Sequence, residues 1–130
     1  MAAKSTYLDN AFLAAALTNT AYTPPTTVYV ALHTSVSSAG TPGTEVSDSN
    51  YARQAATFST PSGGSTANSG VLSFFGAGAA AGPYTIVEVA IYDAITGGHE
   101  LYFGTLGTSK TVSTGDTVSF AISALSVAEQ

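Results

Sequence analysis

The feature that most constrains the fold is a pair of alternating apolar runs joined by a short loop with adjacent glycines, residues 85–103 (TIVEVAIYDAITGGHELYF). In the first run, Val87, Val89 and Ile91 occupy alternate positions, which is how a β-strand separates its two faces. We expect this Val/Ile side to be the buried one. The adjacent glycines supply the left-handed backbone that a tight turn requires. The stretch therefore predicts a central β-hairpin that the other strands join.

Length and composition predict one domain with an unusual surface. A chain of 130 residues has room for one two-layer core and is too short for two. Only 8% of its residues are charged, against about 25% in ordinary soluble proteins. Much of the surface must then consist of Ser, Thr, Gly and Ala, which are easily dehydrated against other protein. This favours an assembly subunit, and the alternative is a secreted β-domain with a Ser/Thr-rich surface.

The charge balance and residue types argue against several classes of protein. The net charge of -5 would repel nucleic acid, so we expect no nucleic-acid partner. The chain has no cysteine, which excludes a disulfide framework and a thiol nucleophile. No apolar run approaches the roughly 20 residues of a membrane span, so we expect no membrane association. The N-terminus resembles a signal peptide only superficially, and we expect it to be retained.

The N-terminal segment carries the helical pattern. Apolar residues recur at helical spacing over residues 5–17, and Thr6 with Asp9 forms a weak variant of a capping box. We therefore divide the chain into an N-terminal helical arm, residues 1–20, and a single β-sandwich domain, residues 21–130. The helix either packs on the sheet of its own domain or docks on a neighbouring subunit.

Four further stretches are typical of strands because apolar residues alternate in them between turn-rich segments. These stretches are residues 28–33, 51–58, 71–75 and 117–127, the last with a change of parity at Ser123-Ala124 that predicts a bulge or bend. The segments between them, including residues 105–111, are predicted to be connections. The fold class predicted is mainly β, an antiparallel β-sandwich or jelly-roll-like domain with one short N-terminal α-helix.

The loop over residues 34–50 is long for a small domain, and such loops are either functional or solvated linkers. It contains two of the eight acids, and the chain's only arginine follows it. That arginine either anchors a loop through backbone carbonyls and a nearby acid, or anchors an interface. The candidate interface residues are Tyr7, Leu8, Phe12, Glu45, Asp48 and Arg53.

The residues of ordinary catalytic and metal sites do not occur in the required patterns. The two histidines, His33 and His99, lie in no motif, and we expect structural roles for both. Asp93 and Glu100 flank the hairpin turn and are close enough in sequence to approach each other, but an Asp before a Gly-rich turn usually binds the turn backbone. Adventitious calcium near Asp93 or Asp116 is the only metal binding we expect. The sequence predicts no catalytic residue, no cofactor and no resident metal, and hence no enzyme.

Several blocks of the chain, taken in order, resemble a group of small tailed-bacteriophage virion proteins that are commonly labelled tail fibre proteins. The blocks are TAYTPPTTVYVALHTS (20–35), NYARQAATF (50–58), VAIYDAITGGHELYFGTL (89–106) and KTVSTGDTVSFAISALSV (110–127). The resemblance covers nearly the whole chain. It implies a β-sandwich or jelly-roll-like subunit of a virion that is assembled in the cytoplasm of a bacterial host.

Two locations in the virion follow from this resemblance. A capsid decoration (cement) protein would bind and stabilise the shell by contacts with the major capsid protein, and we favour it because nothing in the chain is fibrous. A tail-fibre or baseplate-associated protein, with tail proteins as partners and host-surface glycans as a further ligand of exposed tyrosines, is the alternative. In both cases we expect a homo-oligomer.

Overall fold

The computed structural model describes residues 3–129, which form nine β-strands and one α-helix. The helix α1 spans Thr6–Leu17. The strands are β1 (Ala3–Lys4), β2 (Val28–His33), β3 (Gln54–Ala56), β4 (Ser65–Ala67), β5 (Leu72–Phe74), β6 (Tyr84–Tyr92), β7 (Glu100–Val112), β8 (Val118–Phe120) and β9 (Ser126–Ala128). The predicted fold class, mainly β with antiparallel sheets and a helix at the N-terminus, is confirmed.

The largest sheet has five strands in the order β1-β7-β6-β2-β3, and all its neighbours are antiparallel. The β6–β7 hairpin lies at its centre, as the sequence predicts. The prediction of a connection over residues 105–111 is wrong, because β7 continues to Val112 and pairs there with Tyr84 at the start of β6. The alternation in this part of β7 is polar and mostly exposed, so it carries no apolar signal.

A second layer covers one face of the five-stranded sheet. It consists of two two-stranded sheets, β4–β9 and β5–β8. Their buried side chains form one hydrophobic cluster with those of the five-stranded sheet, among them Val30, Leu32, Phe74, Val89 and Val118. Burying a large apolar side chain contributes about 1.5–3 kcal/mol, so this sandwich-like contact between layers is the main source of stability.

The predicted strand over residues 117–127 is in fact two strands in different sheets, β8 and β9. Between them Ser123 has a φ of 67°, a left-handed conformation that no strand continues through. The buried side chain of Asn68 holds this break, because its Nδ2 donates to Ala121 O (2.9 Å) and its Oδ1 accepts from Leu125 N (2.9 Å). The strand β4 that precedes Asn68 has a polar sequence and was not predicted.

The helix begins one residue later than predicted and has a different cap. Ser5 is the N-cap, and its Oγ accepts a hydrogen bond from Leu8 N at 3.2 Å, so the cap predicted from Thr6 and Asp9 is wrong. Leu8 is the buried residue of the helix, whereas Leu13 and Leu17 are 55% and 76% exposed. The helix therefore presents apolar side chains to solvent as well as to the sheet.

The segment before the helix is part of the sheet. Ala3 and Lys4 pair with Phe103 and Tyr102 in β7, and Ser5 N donates to Leu101 O at 2.9 Å. The division into an arm (residues 1–20) and a domain (residues 21–130) stays a prediction.

Over residues 88–92 both faces of β6 are buried, so the expectation that only its Val/Ile side is buried is wrong. Glu88, Ala90 and Tyr92 are 0–5% exposed and alternate with Val89 and Ile91. They lie on the face of the sheet that is turned away from the second layer.

Candidate functional site

A cluster of buried polar side chains lies on this second face of the five-stranded sheet. His33 at the end of β2 is paired with Glu88 in β6, and Tyr92 at the end of β6 is paired with Glu100 in β7. The pairing is irregular between Ile91 and Tyr92, and Leu101 has no partner in the register. This β-bulge turns Glu100 to the face that Tyr92 occupies.

The loop over residues 34–50 completes the cluster through Ser37. His33 Nδ1 lies 2.8 Å from Glu88 Oε1, and His33 Nε2 lies 3.1 Å from the Tyr92 hydroxyl. Ser37 N donates to Glu88 Oε2 at 2.9 Å. The Ser37 Oγ lies 2.5 Å from Glu88 Oε1 and 2.8 Å from Glu100 Oε2. We call these five residues, His33, Ser37, Glu88, Tyr92 and Glu100, the buried polar cluster; it fastens the loop to the sheet.

The electrostatics of the buried polar cluster depend on Glu100. The pKa of Glu100 is raised to about 7: burial raises it most, the hydrogen bond from Ser37 lowers it, and the nearby charge of Glu88 raises it. The single hydroxyl proton of Ser37 can serve only one carboxylate at a time. With Glu100 protonated, its own O–H donates to Ser37 Oγ while Ser37 donates to Glu88. One proton on Glu100 therefore satisfies all three groups.

Arg53 lies beside the cluster and ties the loop to the turn of the central hairpin. Its Nη1 donates to Ala94 O and Gly97 O, both at 2.8 Å, and its Nε and Nη2 donate to the two oxygens of Glu45 at 2.9 Å. Its Cζ lies 3.7 Å from the centre of the Tyr92 ring, a cation–π contact. Backbone carbonyls and a nearby acid are the partners that the loop-anchor alternative predicts for this arginine.

The charge on Glu45 is stabilised by the same contacts. Burial raises the pKa of Glu45, but the hydrogen bonds from Arg53 and from the Tyr51 hydroxyl outweigh burial, so the pKa is lowered overall. Tyr51 also accepts a hydrogen bond from Leu32 N at 3.1 Å. The pair of Glu45 and Arg53 thus joins the loop to β2 and to the hairpin turn.

Three residues of the cluster offer ligand atoms for a metal ion. One atom each from His33, Glu88 and Glu100 lies within 4.8 Å of the others, and the three side chains are 0%, 1% and 4% exposed. At this burial the three side chains contact other groups of the chain rather than solvent.

A separate groove of about 590 Å³ opens between the five-stranded sheet and the β4–β9 pair. It is largely apolar. Residues that line it include Val28, Phe58, Pro61, Tyr102, Val127 and Glu129.

A family model for the podophage GP4 fiber I protein gp80 matches residues 3–128. The chain belongs to this family. The resemblance to phage virion proteins is thereby confirmed. Membership of the gp80 family identifies the chain as a virion structural protein. No curated protein matches the chain significantly. At twelve residues, the helix in the described part of the chain is too short to cross a membrane.

In this gp80-family protein, the predicted interface residues of the helix differ in exposure. Tyr7 is 41% exposed and stacks on the ring of His99 at a centroid distance of 3.9 Å. Leu8 is buried within the chain, and Phe12 is half-buried, with Lys4 Nζ 5.2 Å from its ring centre. Their role at an interface stays a prediction.

The structure brings together two of the other interface candidates, Glu45 and Arg53, and both are engaged inside the chain. Asp48 belongs to another set of contacts, because its carboxylate accepts hydrogen bonds from the backbone of Asn50, Ala80 and Ala81 and from the Tyr84 hydroxyl. These contacts hold the two loops together. A contact of these three residues with a partner protein stays a prediction.

The sequence analysis did not single out Glu88 or Ser37. The available signal for Glu88 was a carboxylate in the middle of an apolar strand, where only a paired charge is tolerated. Asp93 binds the turn as predicted, because its carboxylate accepts from His99 N at 2.7 Å. The approach of Asp93 to Glu100 was left open, and the bulge turns Glu100 towards His33 instead.

Proposed function

We propose that this protein is a non-enzymatic building block of the virion fibre, and that it works by binding other virion proteins and copies of itself. The observation that carries the proposal is the gp80 family match over residues 3–128, because the family description names a fiber protein. The match covers almost the whole of this chain.

The surface supports a role in protein contacts. Charged residues make up 8% of the chain, so few ion solvation shells have to be removed when the surface is covered. The helix adds two large apolar side chains that are more than half exposed, Leu13 and Leu17. We propose that this helical surface meets a neighbouring subunit, and that many weak contacts of this kind add up across a symmetric assembly.

A capsid decoration protein that binds the major capsid protein is the second candidate. The observation in its favour is the compact two-layer packing of short strands, together with a sequence that contains no coiled-coil heptads and no shaft repeat of the kind that elongated fibres carry.

Fractionation of purified virions separates the two candidates. Particles are disrupted, heads are separated from tails, and the chain is quantified in each fraction by mass spectrometry against the major capsid protein. The fibre proposal predicts that the chain follows the tail fraction at a few to a few dozen copies per particle. Hundreds of copies in the head fraction would overturn it in favour of decoration.

A further inference from the structure

The buried polar cluster brings three possible metal-ligand atoms, from His33, Glu88 and Glu100, within 4.8 Å of one another, with the Ser37 hydroxyl beside all three. Ser37 Oγ lies 2.5 Å, 2.8 Å and 3.3 Å from the ligand atoms of Glu88, Glu100 and His33. His33 Nδ1 lies 2.8 Å from Glu88 Oε1 and 3.9 Å from Glu100 Oε2. Metal–ligand bonds of about 2.0–2.2 Å in a tetrahedron place the ligand atoms about 3.3–3.6 Å apart. Three of the five distances are hydrogen-bond lengths of 2.5–2.8 Å, so an ion would replace these hydrogen bonds and move the ligand atoms apart by about 0.5–1 Å.

The histidine ring is held as a metal ligand requires. His33 Nε2 lies 3.1 Å from the Tyr92 hydroxyl, and Tyr92 is itself fixed beneath Arg53. When Nε2 donates its proton to that hydroxyl, the lone pair of Nδ1 points at the two carboxylates. Metal-bound histidines are usually oriented by such a hydrogen bond on the other ring nitrogen.

Charge provides the third argument. Two carboxylates in a site that is at most 4% exposed need compensation, because burying unpaired charge is costly. Arg53 is engaged with Glu45 and with the hairpin turn, so it does not provide that compensation. A divalent cation would take the place of the proton that satisfies the cluster in the metal-free chain, and it would balance both carboxylates at once.

We propose that His33, Glu88 and Glu100, with the Ser37 hydroxyl as a fourth neighbour, bind a divalent transition metal ion of the zinc type. One imidazole nitrogen with carboxylate oxygens suits Zn²⁺ or Mn²⁺, whereas Ca²⁺ takes six to eight oxygen ligands and Mg²⁺ keeps several waters. Because Ser37 lies in the loop over residues 34–50 and the other ligands lie in β2, β6 and β7, the ion would lock that loop onto the sheet.

Metal binding by the full chain tests the proposal. The protein is stripped with a chelator, incubated with Zn²⁺, Mn²⁺, Ca²⁺ or Mg²⁺, passed through a desalting column and assayed for bound metal and thermal unfolding. We expect one Zn²⁺ per chain. At a hundredfold excess over the dissociation constant we expect Tm to rise by about 5–10 °C, with little effect of Ca²⁺ or Mg²⁺.

Two matched variants locate the site. Glu100→Gln keeps the shape and a hydrogen bond to Ser37, and it should weaken zinc binding by more than the roughly 10–100-fold typical of a lost outer-shell partner. His99→Ala removes the exposed histidine that pairs with Asp93, and it should leave zinc binding unchanged. Circular dichroism checks that both variants are folded.

Three results would overturn the proposal: no retained Zn²⁺ or Mn²⁺ on the wild-type chain, zinc retained equally by Glu100→Gln, or zinc lost on His99→Ala. If Glu100→Gln does not fold, the wild-type stoichiometry and His99→Ala decide, since zinc that survives loss of the exposed histidine has His33 as the remaining imidazole.

Discussion

The two faces of the five-stranded sheet are stabilised in different ways. One face buries Val30 and Leu32 in an apolar cluster against the second layer. The other face buries His33 and Glu88, which are 0% and 1% exposed, in a hydrogen-bonded network under a loop. Burial is therefore the same on both faces while the interactions differ. Apolar packing tolerates changes of pH, whereas a buried carboxylate network depends on protonation and on every partner being present.

The apolar face should show the largest loss on truncation. Phe74 is 0% exposed, and Phe74→Ala should lower the free energy of unfolding by about 3–5 kcal/mol. The loss should be equal at pH 5 and pH 8, because the titratable groups packed against this cluster are tyrosines, among them Tyr51 stacked on Phe74, and burial raises their pKa values so that they stay protonated over this range. Denaturant titration measures it, with Val71→Ala at an exposed position of the same segment (61%) as a control that should stay within about 0.5 kcal/mol. A pH-dependent loss would contradict the claim that apolar packing alone stabilises this face.

Removing one partner from the hydrogen-bonded network of the polar face should lower the free energy of unfolding. Glu88→Ala leaves Ser37 N–H without its acceptor and His33 Nδ1 without its hydrogen-bond partner, which should cost about 2–4 kcal/mol. Since Ser37 and Glu88 act together, the double variant with Ser37→Ala should lose at least about 0.5 kcal/mol less than the sum of the single losses. Additive losses would mean that the contacts do not form a network.

The arginine anchor should show a smaller effect. Arg53→Lys keeps the charge but loses the two-pronged contact with Glu45 and the stacking on Tyr92, and it should cost about 1–2 kcal/mol in the free energy of unfolding. The reverse exchange at an exposed position, Lys110→Arg, should change it by less than about 0.5 kcal/mol. Equal effects of the two exchanges would show that Arg53 contributes charge alone.

The smallest effect on stability is expected at the exposed helix surface. Leu17 is 76% exposed, so Leu17→Ser should change the free energy of unfolding by less than about 0.5 kcal/mol. If a neighbouring subunit covers this surface, Leu17 is buried in the interface. Its loss should then reduce incorporation about tenfold when wild type and variant compete during assembly. The ratio of the two chains in purified particles is the readout, and Val71→Ser is the control. Equal incorporation of the two chains would show that Leu17 and the helix surface around it are not part of the interface.

The burial of the apolar face could be predicted from the sequence, because alternating apolar residues indicate that one side of a strand is buried. The strand Val28–His33 has the predicted bounds, and the central hairpin occupies the middle of the sheet. In contrast, β8 and β9 were predicted as one strand with a bulge or bend at Ser123-Ala124. The chain does turn at Ser123, but the two halves join different sheets, and the turn is held by Asn68, which is distant in sequence. Strand pairing between distant segments leaves no local pattern.

The buried polar cluster could not be predicted from the sequence, because it too depends on pairing between distant segments. His33, Glu88 and Glu100 come from three strands, and their approach depends on strand order and on a bulge at Leu101. Their spacing in the chain matches no metal motif. The candidate interface residues were chosen by type and by their place in the helix or the long loop, and neither shows that Leu8 and Arg53 are 2% and 8% exposed.

The most direct test of the two-face account is the pH dependence of stability in the presence of a chelator, for wild type and Glu100→Gln. The pKa of Glu100 is raised from 4.5 to about 7 in the folded chain. Its protonated form therefore favours folding: the contribution is full below about pH 4.5 and is lost as pH rises through about 7.

The account predicts that wild type loses about 2–3 kcal/mol of unfolding free energy between pH 5 and pH 8, and that Glu100→Gln loses little over the same range. Parallel curves for the two proteins would contradict it.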